Sequence, residues 1–263
     1  MKNIKQKGFL IGNIVLLICA FSCLVCYDLY GGLKLKGFTS FWFVLVGCLN
    51  LVYGWKMRVK KSPFLLFVGL GLIFGMCADI LLGVQFIMGI LFFALGHVLY
   101  LIGFCSLEKF GRRDLLIIIP IAAVSLFAVT GTPYIQIRDP LIKKLLLAYA
   151  VIIACMLGKA VSNLIAKRSV SRWLIFIGSA MFWFSDLMLA IDMFGNATRL
   201  TWVLCSYTYW PAQNILAFSL NIGQPSFEPY DSSPYNKAPH YLVFMADEPE
   251  SDKKSTSKYS AGK

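Results

Sequence analysis

The chain has 263 residues, of which 58% are hydrophobic and only 14% are charged. A mean hydropathy of +0.70 means more apolar surface than one soluble core buries, which excludes an ordinary water-soluble domain and predicts a membrane protein. The formal net charge of +12 is typical of loop cations facing anionic lipid headgroups, and no basic patch with interleaved aromatic residues indicates a nucleic-acid partner.

Eight apolar segments are each long enough to cross a bilayer as a helix, which takes about 20 residues. The sequence therefore predicts an all-α membrane protein, a bundle of eight transmembrane helices in a membrane domain of residues 1–221. A cleaved secretory signal peptide is the competing interpretation of the first segment, but the seven segments that follow favour a retained span. The predicted spans are residues 9–30, 38–54, 64–83, 86–104, 115–132, 145–165, 173–195 and 200–221.

Lysine and arginine residues are distributed unevenly between the two sides of this predicted bundle. Most of the 25 fall in the N-terminal segment, the even-numbered loops and the C-terminal tail, so both termini are expected to be cytoplasmic. Residues 222–263 are rich in Pro, Ser and charged residues, which predicts a flexible polar tail. We expect a multi-pass protein of a bacterial inner membrane, or of the endoplasmic reticulum or plasma membrane of a eukaryote.

Acidic residues inside the apolar segments are the first sign of a function. Asp192 lies near the end of the seventh span, within reach of the interface, whereas Asp79 and Asp186 follow long uncharged runs. A carboxylate inside a membrane costs roughly 3 kcal/mol, so it usually faces an internal cavity. An interhelical hydrogen bond or a partner for a stray cation is the structural alternative. Asp79 and Asp186 share a local Asp-x-x-Leu pattern on spans three and seven, which hints at a duplicated four-helix unit.

Polar groups recur at helical spacing near these carboxylates. His97 and Tyr100 lie three residues apart on span four, and Tyr209 and Gln213 lie four apart on span eight, with Pro211 between them. Side chains at these spacings share one face of a helix. Packing explains most single stripes of this kind, but polar positions on four spans of so apolar a chain favour a site.

Taken in order, these residues resemble the motifs of the YhhN-like lysoplasmalogenase family. The resemblance covers about residues 9–221, with two departures: Ala78 stands where the family usually has Gly, and no clear Lys-Pro motif precedes an early span. It implies hydrolysis of the vinyl-ether bond of lysoplasmalogens to a fatty aldehyde and glycerophosphoethanolamine or glycerophosphocholine. The matching positions are Asp79-x-x-Leu82, Gly96-His97-x-x-Tyr100, Ser185-Asp186-x-x-Leu189-Ala190 and Tyr209-x-x-Ala212-Gln213.

The residue types suit that reaction. A vinyl ether hydrolyses when an acid protonates the alkene carbon remote from oxygen and water captures the resulting oxocarbenium ion. Burial disfavours the charged form of a carboxyl group, and two carboxyl groups that share a pocket divide into an acid and an anion. We therefore expect Asp79 and Asp186 to be the catalytic pair, in an order that the sequence leaves open. The expected supporting or substrate-binding residues are His97, Tyr100, Ser185, Tyr209 and Gln213.

Other function classes use the same residues differently. No metal or cofactor is predicted, because His97 is the only intramembrane histidine and the C-x-x-C pair of Cys23 and Cys26 has no second pair. A serine nucleophile lacks its G-x-S-x-G elbow. A proton-coupled transporter would move protons along Asp79, Asp186 and His97. A structural lipid-binding protein would tolerate loss of both carboxylates. The expected partners are a lysophospholipid substrate and membrane lipids, and the oligomeric state stays open.

Overall fold

A computed structural model describes residues 2–57, 62–132 and 134–222. Within these ranges all regular secondary structure is helical and there is no strand, which confirms the predicted all-α class. Each predicted span falls on one helix, although the spans predicted to end at residues 132 and 195 extend two residues and one residue past it. The predicted tail from residue 223 onward lies outside the described residues. The helices are α1 (Lys2–Tyr30), α2 (Leu33–Met57), α3 (Pro63–Val84), α4 (Phe86–Cys105), α5 (Arg112–Thr130), α6 (Pro140–Ala166), α7 (Val170–Phe194) and α8 (Arg199–Ile222).

Seven of the eight described helices, α1 to α7, have the length and apolar composition needed to cross a bilayer. Helix α8 is 24 residues long but less apolar, because it carries several Tyr, Trp, Gln and Asn side chains. Many of these polar groups face the interior, and Trp210 and Gln213 are buried. The chain is thus a multi-pass membrane protein, in which α8 packs against α2 and α7.

The outer surface of the bundle is apolar. Ile11 and Ile18 on α1, and Leu116 and Ile119 on α5, each expose at least 60% of their surface. Such exposure is ordinary where the solvent is lipid tails, since every backbone polar group is already paired inside a helix.

Local signals in the sequence set several helix boundaries. Pro63 and Pro140 occupy the first turns of α3 and α6, where the missing N–H group has no helical partner to lose. Asp139 caps α6 by accepting hydrogen bonds from two backbone N–H groups of its first turn. Gly31 and Gly32 connect α1 to α2 with φ of 65° and 92°, a left-handed conformation that favours glycine.

Two antiparallel helix pairs form the centre of the bundle. Helix α3 packs along α4, and α7 packs along α8, while a smaller contact between α3 and α8 joins the pairs. The two aspartates occupy corresponding helices, Asp79 on α3 and Asp186 on α7, each in the C-terminal half of its helix. Both carboxylates therefore lie toward the same end of the bundle, the end of the α1–α2, α3–α4 and α7–α8 connections.

Candidate active site

Asp79 is held by side chains from two neighbouring helices and is only 2% exposed. Ser40 of α2 donates a hydrogen bond to Oδ2 at 2.5 Å, and Tyr209 of α8 donates to the same oxygen at 2.7 Å. Lys36 of α2 places its Nζ 3.6 Å from Oδ1. A buried carboxylate is costly without a partner, and Lys36 supplies a compensating positive charge.

A chain of hydrogen bonds continues from Asp79 into the bundle. Gln213 Nε2 donates to the Tyr209 hydroxyl at 3.4 Å, and the Tyr100 hydroxyl donates to Gln213 Oε1 at 2.6 Å. Gly75 of α3 makes room for the amide, because a Cβ atom there would lie 2.6 Å from Gln213 Nε2. The structure thus brings together Asp79, Tyr100, Tyr209 and Gln213, which the sequence predicts as site residues.

Asp186 has a separate set of partners. The Tyr149 hydroxyl donates to its Oδ2 at 2.5 Å, and His97 Nε2 lies 3.4 Å from the same oxygen and 2.7 Å from the Tyr149 hydroxyl. His97 is 1% exposed, and its Nδ1 lies 3.3 Å from Met156 Sδ. The imidazole of His97 therefore lies next to Asp186 and Tyr149, in a cluster distinct from that of Asp79.

Asp79 and Asp186 line one cavity. Ser185 lies on the same wall, but its hydroxyl donates to the carbonyl of Phe182 on its own helix at 2.7 Å. Lys36 also borders the cavity. The two clusters are thus two sides of a single space.

A second, apolar groove adjoins this cavity. Leu82, Phe93, Asp186 and Leu189 line both spaces, so Asp186 stands at their junction. The groove has few polar side chains. One of them, the hydroxyl of Ser125, accepts a hydrogen bond from the indole N–H of a neighbouring tryptophan at 2.8 Å. Its apolar walls come from α3 to α7 and include Leu82, Ile90, Ala128, Leu146, Ile153, Ala190 and Met193. The combined space suits a molecule with one hydrocarbon chain and a polar end.

Three residues that contact the carboxylates are not among those predicted from the sequence. Charge alone places Lys36 in the loop before a span at residue 38, whereas α2 begins at Leu33 and includes this lysine. Ser40 lies one helical turn after Lys36, on the same face of the helix. This spacing is the sequence feature from which Ser40 could have been predicted. Tyr149 is an isolated polar side chain in the apolar run of the sixth span, a signal of the kind that identifies Tyr100.

A second cluster of charges, most of them buried, lies at the opposite end of the bundle. Lys159 of α6 is fully buried and its Nζ lies 3.0 Å from Asp114 Oδ1. Arg172 of α7 pairs with Glu108 at 2.8 Å. These groups fasten the α4–α5 connection to α6 and α7 and contribute nothing to the walls of the cavity.

Thiols and metal ligands are dispersed in the described part of the chain. Its eight cysteines are free, including Cys23 and Cys26. No three His, Cys, Asp or Glu side chains of the described residues lie close enough together to hold a metal ion.

Comparison with known proteins gives one match. The model of the YhhN family covers residues 33–220, a range that contains every member of the two carboxylate clusters. Helix α1 lies outside the match, although the resemblance noted in the sequence was expected to begin at residue 9. No curated protein and no solved structure matches the chain.

Proposed function

The chain belongs to the YhhN family, and from this premise we propose that it is a lysoplasmalogenase, an enzyme that hydrolyses the vinyl-ether bond of lysoplasmalogens. The products are a fatty aldehyde and glycerophosphoethanolamine or glycerophosphocholine. The observation that carries the proposal is that the buried carboxyl group of Asp79 and the partly buried carboxyl group of Asp186 line one cavity at the end of an apolar groove. A lysoplasmalogen has one hydrocarbon chain, and its reactive bond lies where that chain meets the polar end.

The reaction needs a proton donor and a stabilised cation. With the alkenyl chain in the apolar groove, the vinyl ether lies between Asp186 and Asp79. A carboxylic acid protonates the alkene carbon remote from oxygen, and the electron pair of the double bond forms the new C–H bond. The ether oxygen shares the resulting positive charge. Water then adds to the oxocarbenium carbon and passes its proton to the other carboxylate, and the hemiacetal separates into the aldehyde and the glycerol hydroxyl.

The two clusters divide these roles. We assign the acid role to Asp186, because it stands at the junction with the groove, where the alkene would lie. The hydrogen-bonded pair of His97 and Tyr149 returns a proton to it after each turnover. Asp79 stabilises the cation and accepts the proton of water, since Lys36 compensates its negative charge in the resting enzyme.

A proton-coupled transporter would need a polar path across the whole bundle. In the part of the chain that the structure describes, the hydrogen bonds that start at Asp79 end at Tyr100. The rings of Phe104 and Phe64 follow next, fully buried and with centroids 6.4 Å apart. This apolar layer favours a pocket open from one end over a path through the protein.

The test is aldehyde release by the purified protein in detergent. An alkenyl lysolipid in D₂O should give an aldehyde with one deuterium on the carbon next to the carbonyl, because the transferred proton comes from a carboxyl group that exchanges with solvent. The matched saturated-ether lysolipid should stay intact, and a chelator should leave the rate unchanged. If folded protein releases no aldehyde, the proposal is wrong, and proton-linked flux in liposomes becomes the next measurement.

A further inference from the structure

Aromatic rings form one wall of the cavity, and the vinyl-ether chemistry makes no use of this wall. Tyr27 of α1 and Trp202 and Trp210 of α8 all border the space beside Asp79. The Tyr27 ring lies 5.5 Å from that of Trp202 and 5.3 Å from that of Trp210, with interplanar angles of 53° and 65°. Rings inclined in this way form adjoining sides of a box.

The two indole N–H groups donate hydrogen bonds to residues that are not part of this box. Trp202 Nε1 donates to Asp28 Oδ1 at 3.0 Å, and Trp210 Nε1 donates to Ser40 Oγ at 3.2 Å. Tyr27 and Trp210 are 7% and 4% exposed, and Trp202 is half-buried nearer the end of α8. These rings are thus fixed at the wall of a cavity, which distinguishes them from tryptophans that anchor a protein in the lipid interface.

A cation borders the same cavity. Lys36 exposes 17% of its side chain and lies 3.6 Å from Asp79 Oδ1, so one ion pair leaves other ammonium hydrogens free for an anion. Lysine is a frequent ligand of phosphate groups. Faces of tryptophan and tyrosine attract cations, and quaternary ammonium groups are bound by aromatic boxes of this kind.

We propose that this wall is a headgroup subsite for phosphocholine, with Lys36 binding the phosphate and the rings of Tyr27, Trp202 and Trp210 enclosing the trimethylammonium group. The inference rests on the proposed function and names its preferred substrate as the choline lysoplasmalogen. A trimethylammonium group has no N–H donors and is weakly hydrated, so aromatic faces suit it better than they suit the ammonium of ethanolamine.

The position of the subsite matches the shape of such a lipid. Lys36 and Trp202 are each the fourth residue of their helix, close to the end of the bundle, whereas the apolar groove extends on the other side of Asp186. A lysolipid that reaches from the groove past both carboxylates thus places its phosphate near Lys36 and its ammonium among the rings.

The first test compares kcat/KM for alkenyl lysolipids with a phosphocholine headgroup, a phosphoethanolamine headgroup and no headgroup. We expect Trp202→Leu to lower the value for phosphocholine by about three- to tenfold and to leave that of the headgroup-free alkenylglycerol unchanged. Trp202→Phe keeps a ring and should lose less. The matched control is Trp173→Leu on α7, a tryptophan 47% exposed and away from the cavity. Equal effects of Trp202→Leu on all three substrates would overturn the subsite.

The role of Lys36 is tested by the ratio of kcat/KM for two substrates, because the contact of Lys36 with Asp79 affects the reaction of every substrate. In Lys36→Met, the value of kcat/KM should fall further for phosphocholine lysolipid than for alkenylglycerol, and Lys36→Arg should restore most of the difference. A ratio that stays at the wild-type value would show that the lysine does not bind the phosphate.

A binding measurement separates failure of the subsite from failure of the proposed reaction. Saturated-ether lysolipids, which cannot be cleaved by vinyl-ether protonation, are titrated against wild type and Trp202→Leu in detergent. Stronger binding of the phosphocholine form, lost in Trp202→Leu, supports the subsite even if wild type releases no aldehyde. Aldehyde release together with headgroup-independent binding overturns the subsite and leaves the reaction standing.

Discussion

At the scale of single residues, each of the two carboxylates proposed to be catalytic accepts a hydrogen bond from one tyrosine. Tyr149→Phe removes the donor to Asp186, and Tyr209→Phe removes a donor to Asp79. A hydrogen bond to a charged group contributes enough that each change should lower kcat about 10- to 100-fold and lower stability by about 1–3 kcal/mol. The measurement is aldehyde release per folded molecule.

Tyr30→Phe is the control for both changes, since this residue is 82% exposed at the end of α1. It should retain the wild-type rate. Wild-type activity in Tyr149→Phe would exclude the proposed return of a proton through that hydroxyl.

The sequence predicts the two aspartates but few of the residues that hold them. Asp79 and Asp186 are recognisable because a charge in an apolar span is costly wherever it lies. Ser40 and Tyr149 lie 39 and 37 positions away from the carboxylates they contact. Such pairings depend on how helices rotate against one another, and hydropathy holds no information about that rotation.

At the scale of helices, a glycine on α3 determines how closely α8 approaches. A Cβ atom at Gly75 would lie 2.6 Å from Gln213 Nε2, whereas one at Gly96 on α4 would meet no atom closer than 3.5 Å. Gly75→Ala should therefore displace the amide, with a loss of about tenfold in activity and about 1–3 kcal/mol in stability. Aldehyde release and thermal unfolding in detergent measure the two effects.

Gly96→Ala provides the comparison on the partner helix. Because its methyl group has room and alanine favours helix, this variant should be as stable as wild type or slightly more stable. Equal losses in the two alanine variants would contradict the packing described for Gly75.

Helix number and helix ends differ in how well the sequence predicts them. The sequence predicts a helix at all eight positions, and seven of them, α1 to α7, are apolar runs long enough to cross a bilayer. It does not predict the start of α2, because Lys34 and Lys36 resemble loop residues by charge alone. Lys36 remains in the helix because Asp79 on the neighbouring helix compensates its charge.

At the scale of the whole molecule, buried charges gather at two opposite ends with different roles. Lys159→Met should leave Asp114 without its cation and lower stability by about 3 kcal/mol or more, as breaking a buried pair does. Activity per folded molecule should stay near that of wild type, because the pair lies away from the cavity. Thermal unfolding and aldehyde release are measured on the same preparation.

Two further variants test whether the loss of stability in Lys159→Met comes from the unpaired charge of Asp114. Lys143→Met removes an exposed lysine of α6 and should change stability little. Combining Lys159→Met with Asp114→Asn should recover part of the loss, since no unpaired charge remains. A Lys159→Met protein as stable as wild type would show that the pair does not fasten this end.

The distribution of cations predicts how the molecule lies in its membrane. With cytoplasmic termini, the end that carries the carboxylates faces away from the cytoplasm. A membrane-impermeant maleimide should then label Tyr134→Cys between α5 and α6 in intact cells, and Lys167→Cys between α6 and α7 only after permeabilisation. Wild-type protein is the control for labelling of the native cysteines. The reverse labelling pattern would show the opposite orientation in the membrane.

The central claim is that Asp79 and Asp186 act together on one vinyl ether. It is tested most directly by aldehyde release from a choline lysoplasmalogen by wild type, Asp79→Asn, Asp186→Asn and the double variant, each verified as folded. Each single variant should fall to about 1% of the wild-type rate or below, and the double variant should be no slower than the slower single one, because groups that act as a unit do not contribute additively. Aldehyde release at the wild-type rate from either single variant would contradict the claim.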